Sequence, residues 1–278
     1  METRVSSATK EVIIGHGHPT VLIGERINPT GKKRMSEALR AGDLEIVREE
    51  ALSQVQAGAA IIDVNIAAAG VDEVSLLPQA VQLVMETVEV PLCLDSPNPE
   101  ALEAALKVYR GKPLINSVTG EEHSLKKVLP LVKEYGAAVI GLAQDEQGVP
   151  KDAERRLAIA HKIIERAGAV GIPPEDIIID CLALAVAADP RSGLVILETI
   201  GRIRAELGVN MTLGLSNISF GLPDRNLLNS TFVAMVIAAG VTCLIVDAAK
   251  VRPTVLAADL LLNQDAYARR YIGAYRER

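Results

Sequence analysis

Carboxylates and carboxamides recur in one kind of place in this chain, directly after short apolar runs. Glu25, Arg26 and Asn28 follow VLIG, Asp63 and Asn65 lie in IIDVN, Asp95, Ser96 and Asn98 follow LCL, and Asn116 and Ser117 follow LI. Further on come Gln144 and Asp145, then Asp180, then Ser216, Asn217 and Ser219 in LGLSNIS, and last Asp247 after LIV. Asp and Asn dominate, and histidine is absent from the set. An ionised carboxylate only accepts hydrogen bonds, whereas a carboxamide offers a donor and an acceptor. Together they suit a neutral heterocycle with amino N–H donors and a carbonyl acceptor, the pattern of an amino-pyrimidine edge. Fixed partners of this sort reject ligands that lack the matching groups. A divalent cation on Asp95 and Asp180 is the competing chemistry. The excess of carboxamides and the lack of histidine count against it, so no bound metal is expected. Any one of these residues taken alone would serve equally as a turn cap.

The elements that must position them alternate along the whole chain. Glu11–Gly15 predicts a strand of a short N-terminal β-hairpin at the floor of the fold, and Thr20–Gly24 the first strand proper. Helix Asp43–Ala57 then leads to strand Ile61–Ile66, helix Val71–Val88 to strand Pro91–Ser96, and helix Pro99–Tyr109 to strand Leu114–Val118. Helix Ser124–Tyr135 precedes strand Ala138–Ala143, helix Asp152–Ala167 precedes Ile177–Leu182, and helix Gly193–Leu207 precedes Met211–Leu215. Helix Arg225–Ala239, stopped by Gly240, leads to strand Cys243–Asp247, then helix Thr254–Asn263 and a polar helical tail. The strands are continuous apolar runs, as parallel strands covered on both faces require. An unbroken series of β/α units predicts an α/β protein, a (β/α)8 TIM barrel forming one domain over 1–278, rather than an open doubly wound sheet. In such a barrel, chemistry sits at the C-terminal strand ends, where the polar residues fall.

Composition narrows the functional classes. With 278 residues, 49% of them hydrophobic but only 3% aromatic, the core must be built from Ala, Val, Leu and Ile. A net charge of −6 without a long basic run argues against nucleic-acid binding. The run Phe232–Val246 is too short for the roughly 20 residues of a membrane span, and Gly240 splits it. METRVSSATKEV lacks the apolar core of a signal peptide. Cys93, Cys181 and Cys243 each lie in an apolar run and form no C-x-x-C pair, which predicts buried free thiols in a cytoplasmic protein. His16 and His18 in GHGHP read as turn residues rather than metal ligands.

Several stretches together resemble one family. IGERINPTGKK (Ile23–Lys33), IIDVNI (Ile61–Ile66), LCLDSPNPEALEAAL (Leu92–Leu106), LINSVTGE (Leu114–Glu121), IIID (Ile177–Asp180), GLSNISFGLPDRNLLN (Gly214–Asn229) and IVDA (Ile245–Ala248) are similar to the methyltetrahydrofolate:corrinoid methyltransferases. That family lies in the pterin-binding superfamily, with dihydropteroate synthase and the folate module of cobalamin-dependent methionine synthase. The resemblance implies that Asp95, Asn116 and Asp180 hydrogen-bond the pterin ring, with Gly214, Ser216 and Asn217 beside it. It implies that Asn217 reaches the N5 region of the folate and that Arg225 and Ile245 pack against the ring. Glu25, Asn28, Asp63, Asn65, Asn98, Gln144, Ser219 and Asp247 are candidates for a supporting layer. Two departures from the pattern, Cys181 after IIID and Ala67–Ala69 after the second strand, fall outside these positions.

The implied reaction moves a methyl group between N5 of methyltetrahydrofolate, the substrate, and the cobalt of a corrinoid (cobalamin) that is not tightly bound. Asn217 cannot act as an ordinary general acid. It is expected to stabilise protonated N5 through a hydrogen bond that strengthens in the transition state, with the proton arriving from solvent. No DxHxxG corrinoid-anchoring pattern occurs, so a separate corrinoid protein is the expected partner. Family likeness adds the expectation of a homodimer. Lys32, Lys33 and Arg34 read either as a solvated loop or as contacts to the anionic tail of folate or the corrinoid phosphate. The alternatives are a dihydropteroate synthase and a non-catalytic pterin-binding subunit.

Overall fold

A computed structural model describes residues 1–276 of the chain. It opens with an antiparallel hairpin of β1 (Glu2–Ser6) and β2 (Glu11–Gly15). Eight parallel strands follow: β3 (Val21–Ile27), β4 (Ile61–Asn65), β5 (Leu92–Asp95), β6 (Leu114–Thr119), β7 (Ala138–Leu142), β8 (Ile177–Asp180), β9 (Asn210–Thr212) and β10 (Cys243–Val246). From β3 to β9 each barrel strand pairs with the next, and β10 pairs with β3, Ile245 opposite Ile23. The seam between β9 and β10 is joined by Thr242 N–H donating to Met211 O at 3.1 Å and Ile245 N–H to Leu213 O at 3.2 Å. The sheet therefore closes on itself as the expected (β/α)8 barrel.

The two-residue period of a strand sorts its side chains. Ile23, Ile61, Cys93, Leu114, Ile140, Ile178 and Cys243 point inward and form one apolar layer with Val5, Val12 and Ile14 of the hairpin. Leu22, Ile62, Leu94, Ile115, Val139, Ile179 and Leu244 point outward, against the helices. Each such fully buried aliphatic side chain stabilises the fold by roughly 1.5–3 kcal/mol. The hairpin plugs the N-terminal end, where the Asn210 carboxamide donates to Ile14 O and to the Thr3 hydroxyl, both at 2.9 Å. The opposite, C-terminal mouth is the end left for a ligand. All three cysteines are buried and free.

The outer helices are α1 (Lys33–Arg40), α2 (Glu45–Gln56), α3 (Glu73–Thr87), α4 (Pro99–Val108), α5 (Glu122–Tyr135), α6 (Ala153–Ala169), α7 (Ser192–Glu206), α8 (Arg225–Ala239), α9 (Ala248–Leu261) and α10 (Arg269–Arg276). Local chemistry sets their ends. The Asn98 side chain accepts the Glu100 N–H at 3.0 Å ahead of Pro99, and Gly136, at φ 61°, terminates α5 in the left-handed region.

Several segments differ from the sequence expectation; the helix expected over Thr254–Asn263, for one, begins at Ala248 and ends at Leu261. Glu2–Ser6 is a strand, although ETRVS has only Val5 as an apolar anchor; pairing with β2 supplies the rest. Lys33–Arg40 is a helix rather than a loop, because Met35 and Leu39, four apart, bury one face. The strand expected over Met211–Leu215 ends at Thr212, and Leu215–Ser219 forms a 3-10 turn. Leu215 and Ile218 are both buried, and their spacing of three belongs to that turn rather than to a strand.

Candidate active site

The alternation that fills the barrel also builds its mouth. Two residues beyond the inner apolar layer, Ile23 is followed by Glu25, Ile61 by Asp63, Cys93 by Asp95, Leu114 by Asn116, Ile178 by Asp180 and Ile245 by Asp247. Gly214 continues the inward face of β9 and bridges to Ile245. A ring of polar groups thus lies over an apolar floor, with loops above it.

One side of the mouth is a cavity of about 490 Å3 lined by Asn65, Asp95, Asn116, Ser117, Leu142 and Gln144 among others. The Asn65 carboxamide donates to Asp95 at 2.8 Å and its oxygen accepts the Ala67 N–H at 2.9 Å, so both its ends are engaged. The Asn116 N–H2 donates to Asp63 at 3.2 Å, which leaves the Asn116 carbonyl oxygen for a ligand. Asp63 is buried and hydrogen-bonded to Asp95. Burial, then the neighbouring Asp95 charge, holds the Asp63 carboxyl well above the usual carboxylate range. Asp95 is itself pushed up to about 6, by burial first, against the relief of hydrogen bonds from Asn65 and Asp63. Two carboxyls in contact cannot both ionise cheaply, so the inner one, Asp63, keeps the proton and donates to Asp95.

Asp180 closes another part of the ring. It accepts the Leu182 N–H at 2.7 Å and a backbone hydrogen bond from Gly214, and burial pushes its carboxyl up to about 7. Leu182 itself sits at φ 57°, unusual for a side-chain-bearing residue. Its loop is gripped by the buried Arg156 guanidinium, which donates to Pro150 O at 2.9 Å, Cys181 O at 2.6 Å and Leu182 O at 2.8 Å.

Across the mouth, a second cavity of about 440 Å3 is lined by Glu25, Arg26, Lys32, Ser216, Arg225, Asp247 and Lys250 among others, and shares Thr30 with the first. Burial, then the Asp247 charge, pushes Glu25 up to about 7, against the pull of Lys32, Arg26 and a hydrogen bond with Ser216. The buried Gln54 donates to Asp247 at 3.2 Å while its oxygen accepts the Ala248 N–H at 3.0 Å. Lys32 donates to Arg26 O at 2.6 Å.

Asn217 stands on the 3-10 turn, exposed, above Gly214: a Cβ added to Gly214 would lie 3.6 Å from its Nδ2. The turn is held by Arg225, which donates to Ser216 O at 2.7 Å and to the Ser219 hydroxyl at 3.0 Å and lies over the Phe220 ring. Ile245 faces the barrel interior beneath Gly214.

Other polar residues of the sequence pattern turn away from these cavities. Asn28 accepts the Thr30 N–H at 2.9 Å, Asn98 caps α4, and Asp145 pairs with Arg155, whereas Ser96 stays at the edge of the first cavity and donates to Glu73. Lys33 and Arg34 are exposed on α1, so of the basic trio only Lys32 reaches the mouth. His18 pairs with Glu2 at the floor. Arg156 and Gln54 brace the mouth through their hydrogen bonds, and sequence reading passes over them because an Arg or Gln on an amphipathic helix reads as solvated. Among the described residues, no group of three or more His, Cys, Asp or Glu could hold a metal ion, and no helix is long and apolar enough to cross a membrane.

Comparison with known proteins bears on the family and the fold. Residues 24–247 match the family model of pterin binding enzymes. The chain is 32% identical over 265 residues to the methylcorrinoid:tetrahydrofolate methyltransferase of Eubacterium limosum, covering 92% of this chain and 96% of that one. It is 33% identical over 265 residues to methionine synthase of Mycobacterium tuberculosis, covering 91% of this chain but 22% of that protein. Among solved structures, dihydropteroate synthase of Clostridium difficile in the presence of pteroic acid superposes with a TM-score of 0.73 at 19% identity, over 89% of this chain and 98% of that one. The Yersinia pestis enzyme with a pterine-sulfa conjugate gives 0.70 at 16%, over 91% and 96%. These last two likenesses concern the fold.

Proposed function

The chain belongs to the pterin binding enzymes, in the family of methyltetrahydrofolate:corrinoid methyltransferases, and from that premise we propose that it moves a methyl group between N5 of methyltetrahydrofolate and the cobalt of a corrinoid. The observation that carries this reading is the end-to-end likeness to the methylcorrinoid:tetrahydrofolate methyltransferase. That relative's name describes the methyl group leaving the corrinoid. One site serves both directions, since the transition state is common to them.

The pterin lies across the mouth with its amino-pyrimidine edge toward Asp95, Asn116 and Asp180. Asp180 and Asp95 accept ring and amino N–H groups, and the Asn116 carbonyl accepts another. Each carboxylate then exchanges a costly buried charge for charge-assisted hydrogen bonds, which are about twice as strong as neutral ones. Gly214 leaves open the space over Ile245 where a side chain would meet the ring. Asp63 and Asn65 fix Asp95, Gln54 fixes Asp247, and Arg225 and Ser219 fix the turn that presents Asn217.

The corrinoid is the second substrate, supplying the cobalt that takes or yields the methyl group, and is carried by a separate protein. A tertiary amine leaves poorly unless its nitrogen is protonated as the C–N bond breaks. Asn217 accepts a hydrogen bond from the N5 proton through its carboxamide oxygen, an interaction at full strength only when N5 carries that proton. The protein works as a cytoplasmic homodimer in this reading.

The test mixes the protein with methyltetrahydrofolate and cob(I)alamin and follows the cob(I) absorption. Its loss with appearance of methylcobalamin is the expected result, and no change refutes methyl transfer. Dihydropteroate synthase activity and a binding-only subunit both predict no change. Asn217→Ala should lower the transfer rate by on the order of 10²–10³ while folate still binds.

A further inference from the structure

Glu25 has no structural task that accounts for where it is. It caps no helix, and the Ser216 side chain beside it in the same cavity is close enough to lower its proton affinity. It points from β3 into the mouth, lining the second cavity beside Ser216 and Asp247. Ser216 immediately precedes Asn217, and its backbone carbonyl accepts from Arg225 at 2.7 Å, which fixes the turn that carries both residues beside the Glu25 cavity.

The charged groups around Glu25 come from several elements. Arg26 on β3 and Lys32 on the loop before α1 favour its ionised form, and Asp247, at the end of β10, opposes it. Asp63 on β4 lies within electrostatic reach and keeps its own proton. Arg26 is drawn off toward Glu50 at 3.1 Å, and Lys250 on α9 toward Asp247 at 3.4 Å. Arg225, on α8, is committed to the turn. With Arg26 drawn to Glu50 and Lys32 donating to Arg26 O, neither cation neutralises Glu25 fully, and the carboxyl can hold a proton or release it within this one cavity.

We propose that Glu25 holds the proton exchanged with N5 and passes it across the Ser216 hydroxyl, in place of bulk water. This rests on the methyl-transfer reading. When methyltetrahydrofolate is the donor, the Glu25 carboxyl gives its proton to the serine oxygen as the serine proton moves to N5. The N5–CH3 bond then breaks with its electron pair staying on nitrogen, and the methyl group bonds to the cobalt of the reduced corrinoid. Tetrahydrofolate leaves with N5–H, and Glu25 remains as a carboxylate facing Lys32 and Arg26. In the other direction N5 attacks the methyl group of the methylcorrinoid, and the N5 proton returns along the same path to the Glu25 carboxylate.

The signs follow from the protonation each direction needs. Demethylation requires the acid form, so its rate falls as pH rises through about 7, and remethylation requires the carboxylate, so its rate rises over the same interval. The experiment is single-turnover stopped flow with methyltetrahydrofolate and cob(I)alamin from pH 5.5 to 8.5, on wild type, Glu25→Gln and Ser216→Ala. Calorimetry measures the methyltetrahydrofolate Kd of each. Glu25→Gln and Ser216→Ala should each lose on the order of 10²-fold in rate at pH 6, with the inflection near 7 abolished and Kd within about threefold. A Glu25→Gln enzyme with the wild-type rate and inflection overturns the assignment, as does a rate loss matched by an equal loss of binding. Should Glu25→Gln not fold, Ser216→Ala decides, and a wild-type profile there refutes the relay. Wild type that transfers no methyl group at any pH overturns the methyl-transfer reading, and the relay with it. Active wild type beside an unaffected Glu25→Gln overturns the relay alone.

Discussion

Asp180→Asn should make the ligand-free protein more stable at alkaline pH while weakening its hold on the pterin. An unfolded Asp ionises near 3.8, but the buried Asp180 does so only near 7. A carboxyl raised in this way favours the unfolded state once the pH passes the unfolded value. The penalty therefore grows from about pH 4 to about pH 7, by about 1.4 kcal/mol per pH unit, and is constant above that. At pH 8 it amounts to about 4 kcal/mol by the same conversion. An asparagine carries no such charge and can still accept the Leu182 N–H through its oxygen. Its N–H2 would face the Gly214 N–H, forfeiting that hydrogen bond at a cost of about 1–2 kcal/mol. The net gain expected is about 2–3 kcal/mol at pH 8, shrinking to near zero at pH 5. Urea unfolding followed by circular dichroism at pH 5, 6, 7 and 8 measures it directly. Calorimetry should show folate binding weakened by roughly 10- to 100-fold, the worth of a hydrogen bond to a charged acceptor. A variant less stable than wild type at pH 8, a stability difference that ignores pH, or an unchanged folate Kd would each refute the reasoning.

Gly214→Ala adds a methyl group that makes only an ordinary contact with Asn217, at 3.6 Å, so melting temperature should hardly change. The methyl group occupies pterin space, however, and folate Kd should rise at least about tenfold by the cost of overpacking a fitted site. Arg156→Met leaves three loop carbonyls without their donor. It should cost about 3 kcal/mol in urea unfolding and weaken folate binding by freeing the Leu182 loop that orients Asp180.

Fold and ring were legible in the sequence for one reason: both depend on a period of two. Once a run such as IIDVN is a strand buried on both faces, the inward side of Ile61 is also the inward side of Asp63 and Asn65. No distant information is needed to place Asp95, Asn116, Asp180 and Asp247 on that same face. Helix ends such as Asn98-Pro99 and Gly136 were equally local. The turn carrying Asn217 was not, because a glycine followed by LSNIS continues a strand or curls into a 3-10 turn according to whether Ile218 finds a core to enter. Asn28 and Asn98 show the converse: a local cap has the composition of a site residue, and only the direction of the side chain separates the two. Proton affinities lay furthest from sequence. Asp63 holds its proton because it is buried inside an apolar barrel and because Asp95, 32 positions later, is brought into contact with it there. Glu25 is pushed up to about 7 by burial in the mouth first, and then by Asp247, which arrives from the other end of the chain on the adjacent strand. Sequence determines which faces are polar. Tertiary structure decides which charges meet out of water, and that sets which groups hold protons.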